Sequence, residues 1–167
     1  QAVAAFLREN PAATVTIVDG AYTELMARLL GGDVDLLVGA LRAPNPSPEV
    51  VQQPLYDDRL AVIARAGHPL AGRPLQTRDL ADYPWIMARR GTPLRAIWEQ
   101  TFEEAGLAPP SVSIECGSVL AIHGLLMAGD WLTLLSPAQV NRENGLAALD
   151  IAVAGGARTI GTTVRAG

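Results

Sequence analysis

Strands and helices alternate along these 167 residues, which predicts an α/β fold with a mostly parallel sheet. A β-branched run at 14–18, a helical pattern at 22–30 and an apolar run at 34–38 make one βαβ unit. Further strand and helix patterns follow at 85–106 and 112–128. Between them, two extended runs stand back to back, residues 50–56 and 60–64, broken by Asp57-Asp58-Arg59. One sheet accommodates such a pair poorly. Two lobes joined by crossing strands accommodate it well.

The elements read in order as follows. Val3, Phe6 and Leu7 share a helical face, and Asn10-Pro11 stops the run. Nothing like an N-cap precedes it, so the chain is expected to begin partway through a larger protein. Thr14-Val15-Thr16-Ile17-Val18 alternates and predicts a strand. Leu25, Met26, Leu29 and Leu30 follow at helical spacing, ended by Gly31-Gly32. Val34-Asp35-Leu36-Leu37-Val38 is a strand of the type buried in parallel sheets. Ala43-Pro44-Asn45-Pro46-Ser47-Pro48 loses an amide donor at each proline and must be a surface loop. A turn at 67–74, a helical turn at 77–81 and a strand at 85–88 come next. Thr92-Pro93 opens a helix to Gly106 with Leu94, Ile97, Trp98, Phe102 and Ala105 on its buried side. Then come a strand at 112–115, an apolar helix at 119–128 ended by Gly129-Asp130, and a strand at 131–135. A short helix at 139–144 and strands at 148–153 and 159–164 complete the prediction.

Composition narrows the function. Apolar residues make up 49 % of the chain and charged residues 18 %, which excludes disorder. No apolar run approaches the roughly 20 residues of a membrane span, and no basic-then-apolar leader is present. All 13 cations are arginines scattered among 17 acids, and the net charge is −4. That is the wrong footprint for gripping phosphates, so this segment is not expected to bind DNA by itself. Cys116 is the single cysteine, which rules out an internal disulfide; with two histidines it makes a poor basis for a metal site. No nucleophile elbow, P-loop, dinucleotide fingerprint or zinc-protease motif occurs. The chain is read as a non-enzyme with neither metal nor cofactor.

Ligands in open α/β sheets bind beyond the carboxyl ends of strands, where helix N-termini point. Three such ends carry suitable chemistry. Gly39, Ala40, Leu41 and Arg42 follow the strand predicted to end at Val38; small residues admit a ligand to the backbone, and Arg42 could fork onto a carboxylate. Gly91 and Thr92 precede a helix in which Pro93 suits the first position, although capping alone explains that pair. Gly117, Ser118 and Val119 open the apolar helix; Gly117 permits an unusual backbone angle, and Ser118 can cap while leaving spare amides. Ala64, in the second extended run, completes the candidate set. Cys116 is expected to be a small hydrophobe, His123 a packed or interfacial group, and His68 a turn residue. Asp57 and Asp58 should point to opposite faces and be solvated. Trp85, Trp98 and Trp131 read as core.

Several blocks, in order, resemble the effector-binding domain of LysR-type transcriptional regulators. They are Phe6-Leu7-Arg8-Glu9-Asn10-Pro11, Gly31-Gly32-Asp33-Val34-Asp35-Leu36, Pro54-Leu55-Tyr56-Asp57-Asp58 and Gly67-His68-Pro69-Leu70-Ala71. Gly91-Thr92-Pro93-Leu94-Arg95 and Ser118 through Ser136-Pro137 continue them. The resemblance implies a type II periplasmic-binding-protein fold of two Rossmann-like lobes: 1–60 with 158–167, and 61–157. It places the family's first strand and its loop upstream of Gln1. It implies a small-molecule effector in the inter-lobe cleft, held by the loop after the second strand of lobe one and by the helix starts at Thr92 and Ser118. An anionic group is one reading of Arg42 and those helix starts; an uncharged sugar is another. The resemblance further implies cytoplasmic location, a homodimer pairing residues 1–9 with the mate's 119–128, and a tetramer for the full-length protein. DNA would be contacted only through an N-terminal winged helix-turn-helix not present in this chain. Asp130-Trp131 stands where the family has an apolar residue and glycine, and Ser136 where proline is common. The rival reading on the same fold is a solute-binding receptor of a transporter.

Overall fold

The computed structural model describes residues 2–140 and 145–167. The chain forms two compact units, Gln1–Pro54 with Gly161–Gly167, and Leu55–Ile160. Strands β2 (Val50–Arg59) and β8 (Ala157–Arg165) each begin in one unit and end in the other. The fold is therefore two-lobed α/β with crossing strands, as the back-to-back extended runs predict.

The first lobe holds α1 (Ala2–Glu9), α2 (Tyr22–Gly31) and β1 (Leu37–Ala40), with sheet order β1-β8-β2. α1 forms as its periodicity predicts, yet none of its residues is buried. α2 ends on Gly32 in the left-handed region at φ 84°, where glycine is favoured. The amides of Asp33 and Val34 turn back onto Arg28 O at 2.9 and 3.3 Å. Arg165 also donates to Leu29 O and Val34 O, at 2.7 Å each. These bonds hold the segment at the helix end, so the strand predicted from Val34 begins only at Leu37. It is not buried on both faces either, because Val38 is exposed. The strand predicted at 14–18 is absent: these residues join no sheet, and Ile17 is 80 % exposed. β-branched residues favour extended backbone, but a strand also needs a ladder partner.

β8 passes between β1 and β2, and Gly161 permits the close approach. A Cβ there would overlap the Gln53 carbonyl oxygen and lie 2.8 Å from both methyl carbons of Leu41. Gly161→Ala should cost about 1–3 kcal/mol through overpacking, read as a lower urea midpoint. An unchanged midpoint would contradict this packing.

The second lobe contains β3 (Ala61–Arg65), β4 (Trp85–Met87), α3 (Pro93–Glu103), β5 (Val112–Glu115), α4 (Val119–Ala128), β6 (Thr133–Leu135) and β7 (Leu146–Ala148). β3 pairs antiparallel with β6, Val62 opposite Leu134, and with β7, Ala64 opposite Ala147. β4 pairs parallel with β5, and a parallel bridge joins Trp85 to Leu132 just before β6. The sheet is therefore mixed where a mostly parallel one is predicted. β3 alone runs against its neighbours, because it follows β2 after a one-residue break at Leu60 instead of a helical crossover.

Alternation along β3 and β4 sorts the core into two layers. Val62, Ala64, Trp85 and Met87 face Trp98 and Phe102 of α3. Ile63 and Ile86 face Ile122 and Leu126 of α4. Both faces are thus covered, which is why these strands read as unbroken apolar runs. Residues 149–153, predicted as strand, form none; Leu149, Ile151 and Val153 pack on the first layer, so their alternation reports burial, not pairing. The helix predicted at 139–144 is replaced at its start by a 3-10 turn, Pro137–Gln139; residues 141–144 lie outside the described residues. Trp85 and Trp98 are fully buried, whereas Trp131 is only partly so. Among the described residues no helix is long and apolar enough to cross a membrane.

Candidate functional site

β4 and β5 are adjacent and parallel, with Met87 opposite Glu115, so their carboxyl ends emerge side by side. β4 leads to α3 on one face of the sheet, and β5 leads to α4 on the other. Outgoing loops that part to opposite faces leave a crevice at the strand ends, the usual ligand position in open α/β sheets. Thr92 and Ser118 both lie at this edge.

Each caps its helix. Thr92 accepts from the Arg95 amide at 3.3 Å and donates to Arg89 O at 2.8 Å, with Gly91 before it at φ 81°. Ser118 accepts from the Ala121 amide at 3.4 Å. The first-turn amides of Leu94, Val119 and Leu120 have no acceptor within their helices and point out of the helix ends. Together with the helix dipoles they favour electron-rich oxygen. Thr92→Ala should cost about 0.5–2 kcal/mol and Thr92→Ser much less, measured by chemical denaturation. Equal losses would place the effect outside the cap.

Arg95 closes the block Gly91-Thr92-Pro93-Leu94-Arg95, and the sequence assigns it no role of its own. Only 4 % exposed, it donates from Nε to Glu99 at 2.9 Å, lies 4.7 Å over the Trp98 ring and faces Glu115 at 3.9 Å. Its guanidinium thus reaches from the first turn of α3 toward the end of β5, with Nη1 buried and without a hydrogen bond among the described residues. The available signal was the four-residue spacing of Arg95 and Glu99.

The other predicted contacts divide. Gly39 and Ala40 belong to β1 itself, not to the loop after it. Leu41 packs against Gly161. Arg42 is partly exposed, with its guanidinium 4.4 Å over the Tyr22 ring. Ala64 is fully buried in the first core layer and has no surface to offer a ligand. Gly117 does not adopt a positive φ, so no unusual backbone angle explains it. Val119 is exposed at the start of α4. Cys116 is partly buried, with Sγ 3.7 Å from Ser118 O.

Asp58 is not solvated. Its carboxylate accepts from Ser136 Oγ at 2.6 Å and from Arg158 Nε at 2.8 Å, while Asp57, on the opposite face, takes Thr159 at 3.0 Å. Burial pushes the Asp58 carboxyl up, but the Ser136 hydroxyl and the Arg158 guanidinium outweigh it and hold it below the usual carboxylate value. His68 is a turn residue, as predicted, but a buried one. Its Nδ1 accepts from the Leu70 amide at 3.1 Å, and its ring centroid lies 4.6 Å from that of Tyr83. Burial lowers its affinity for a proton, against the opposing pull of Asp130. His123 is partly buried on α4. Among the described residues no group of three His, Cys, Asp or Glu is placed to hold a metal ion.

Two concave surfaces lie elsewhere in the second lobe. One, of about 580 Å³, is lined by Arg65, Gly67, Met127, Gly129, Asp130 and Gly145, among others. The other, of about 510 Å³, lies over Asp57, Asp58 and Arg158. Neither is lined by Thr92, Ser118 or Arg42.

A two-lobed α/β domain with a crevice of capped helix starts defines a class of small-molecule-binding domains. The LysR substrate binding domain model matches residues 1–167, and the chain belongs to that family. It is 32 % identical over 169 residues to the HTH-type transcriptional regulator GalR of Pseudomonas putida, covering 99 % of this chain and 43 % of the relative. It is 31 % identical over 170 residues to the HTH-type transcriptional regulator PcaQ of Agrobacterium fabrum, covering 99 % and 55 %. The chain thus spans about half the length of these relatives. Among solved structures, the regulatory domain of Synechocystis CcmR in complex with 2-PG superposes with a TM-score of 0.80 at 25 % identity, covering 99 % of this chain and 80 % of that one.

Proposed function

We propose that this chain is the sensing part of a transcription regulator, and that a small-molecule effector binds at the helix starts of Thr92 and Ser118. The carrying observation is the divergence of α3 and α4 to opposite faces from adjacent parallel strands, which puts two helix N-termini at one crevice. This reading assigns the chain no chemistry on its ligand: among the described residues at the crevice, Arg95 is buried with its Nε on Glu99, and Glu115 lies 3.9 Å from it.

The effector acts by population shift, favouring one of two arrangements to the extent that it binds that arrangement better. DNA is contacted through a part of the protein outside this chain. Pairing with a second copy is supported by apolar side chains that the fold leaves exposed, Val3 and Phe6 on α1 and Leu120 and Met127 on α4. A broad panel of carboxylates, aromatic acids and sugars, screened by thermal shift on the complete protein, tests the sensor reading. At least one compound should raise the melting temperature in a saturable way and alter operator binding. No stabilisation by any of them would contradict the reading.

A further inference from the structure

The segment that leaves β3 is fastened by one buried imidazole. Between Arg65 and Ala71 the chain makes two successive turns: the His68 amide bonds Arg65 O at 3.0 Å, and the Ala71 amide bonds His68 O at 2.9 Å. The Ala66 amide ties the same segment to Gly145 O at 2.7 Å. The His68 side chain closes the second turn, its Nδ1 accepting from the Leu70 amide at 3.1 Å. An imidazole nitrogen that accepts carries no proton, so His68 is the neutral tautomer with its hydrogen on Nε2. That second nitrogen is buried, with no hydrogen-bond partner among the described residues.

Leu70 is 2 % exposed and belongs to the first core layer with Trp85, Trp98 and Phe102, so the turn and the core hold or yield together. A proton on Nδ1 would set two N–H donors against each other, the imidazolium and the Leu70 amide. It would also bury a charge in a side chain only 3 % exposed. Both costs oppose protonation while the turn is closed. Among the described residues, the groups that face the ring come from three places. Arg65 ends β3, Asp130 precedes β6, and Tyr83 lies ahead of β4 with its ring centroid 4.6 Å away. Asp130 favours the proton, but Arg65, bridged to it at 2.6 Å, opposes, and burial outweighs both.

We propose that His68 is an acid-operated latch: neutral, it holds the turns at 65–71 closed and Leu70 in the core, and on taking up a proton it releases them while the rest of the second lobe stays folded. Release frees Arg65, Ala66 and Gly67 from their fixed places in the concave surface of about 580 Å³ that they line with Asp130 and Gly145. The folded protein disfavours the charged imidazole, so the latch is fully closed above the ordinary histidine value of 6.5. It opens as pH falls through the lower folded value.

The test is hydrogen exchange of the complete protein without effector, from about pH 8 to about pH 4.5, corrected for the intrinsic pH dependence of exchange. The parent is compared with His68→Asn, which keeps a carbonyl acceptor near the place of Nδ1 and does not titrate. Each pH unit below the folded value is worth tenfold, so protection of residues 66–71 should fall about tenfold or more in the parent than in His68→Asn. The Ile86 amide on β4, bonded to Leu132 O at 2.9 Å, should keep its protection within about twofold in both. Asp130→Asn, which removes the charge that favours the proton, should move the transition to lower pH. If the parent loses no more protection than His68→Asn, or if Ile86 opens together with the turns, the inference is overturned. A transition at or above the ordinary histidine value overturns it as well. Should His68→Asn fail to fold, the parent and Asp130→Asn decide, and a transition that Asp130→Asn leaves in place contradicts the latch.

Discussion

Trp85→Ala should destabilise the protein by about 3–5 kcal/mol, the largest single loss among the expected variants. The indole is fully buried on β4, and its ring centroid lies 5.6 Å from that of Trp98 and 5.9 Å from that of Phe102, both edge-on. Its Nε1 also donates to Leu80 O at 3.2 Å, so truncation leaves a cavity and removes one of two bonds to that carbonyl, which still accepts from the Tyr83 amide at 3.4 Å. Trp85→Phe keeps most of the packing and should lose markedly less. Urea denaturation separates the two; a loss below about 1 kcal/mol for the alanine variant would mean that this layer is not the core.

Asp58→Asn should cost about 2–3 kcal/mol at neutral pH, because it strands Arg158 and weakens the bond from Ser136. The carboxylate is nearly enclosed, with Arg158 Nη2 at 2.7 Å and Arg158 itself only partly exposed. Since the folded protein holds the Asp58 carboxyl below its ordinary value, the stabilisation is complete above the ordinary carboxylate range. It is lost as pH falls through the depressed folded value. Parent and variant stabilities should therefore differ at pH 7 and converge in strong acid. A gap that persists unchanged at low pH would assign the effect to shape and not to charge.

What was legible in the sequence was what neighbours in the chain decide. The cap at Thr92 with Pro93 behind it, and the cap at Ser118, were readable because donor and acceptor lie three residues apart. The paired extended runs revealed the two lobes because so long a β-rich stretch has no place in a single sheet. What failed depended on distant partners. Asp58 meets Ser136 and Arg158, 78 and 100 residues away, and nothing local distinguishes it from solvated Asp57. The run at 14–18 has strand composition, but no ladder partner among the described residues. Alternation at 149–153 marked a buried face, not a paired strand.

Two departures from the family pattern turn out to have partners here. Ser136 bonds Asp58, and Asp130 takes Arg65 at 2.6 Å. In both cases the odd residue meets a group of opposite character on another strand or loop. Arg95 was hidden for a different reason: composition marks an arginine as exposed, although Trp98 and Glu99, three and four residues on along α3, and the distant Glu115 surround it.

In the proposed function, adjacent strand ends and the capped helix starts of Thr92 and Ser118 form one receptor for a small molecule. Hydrogen exchange on the complete protein, with and without a saturating effector, addresses this directly. Slowed exchange should appear together at Leu94 and at Val119 and Leu120. Protection confined to other surfaces, or to only one of the two helix starts, would contradict the account.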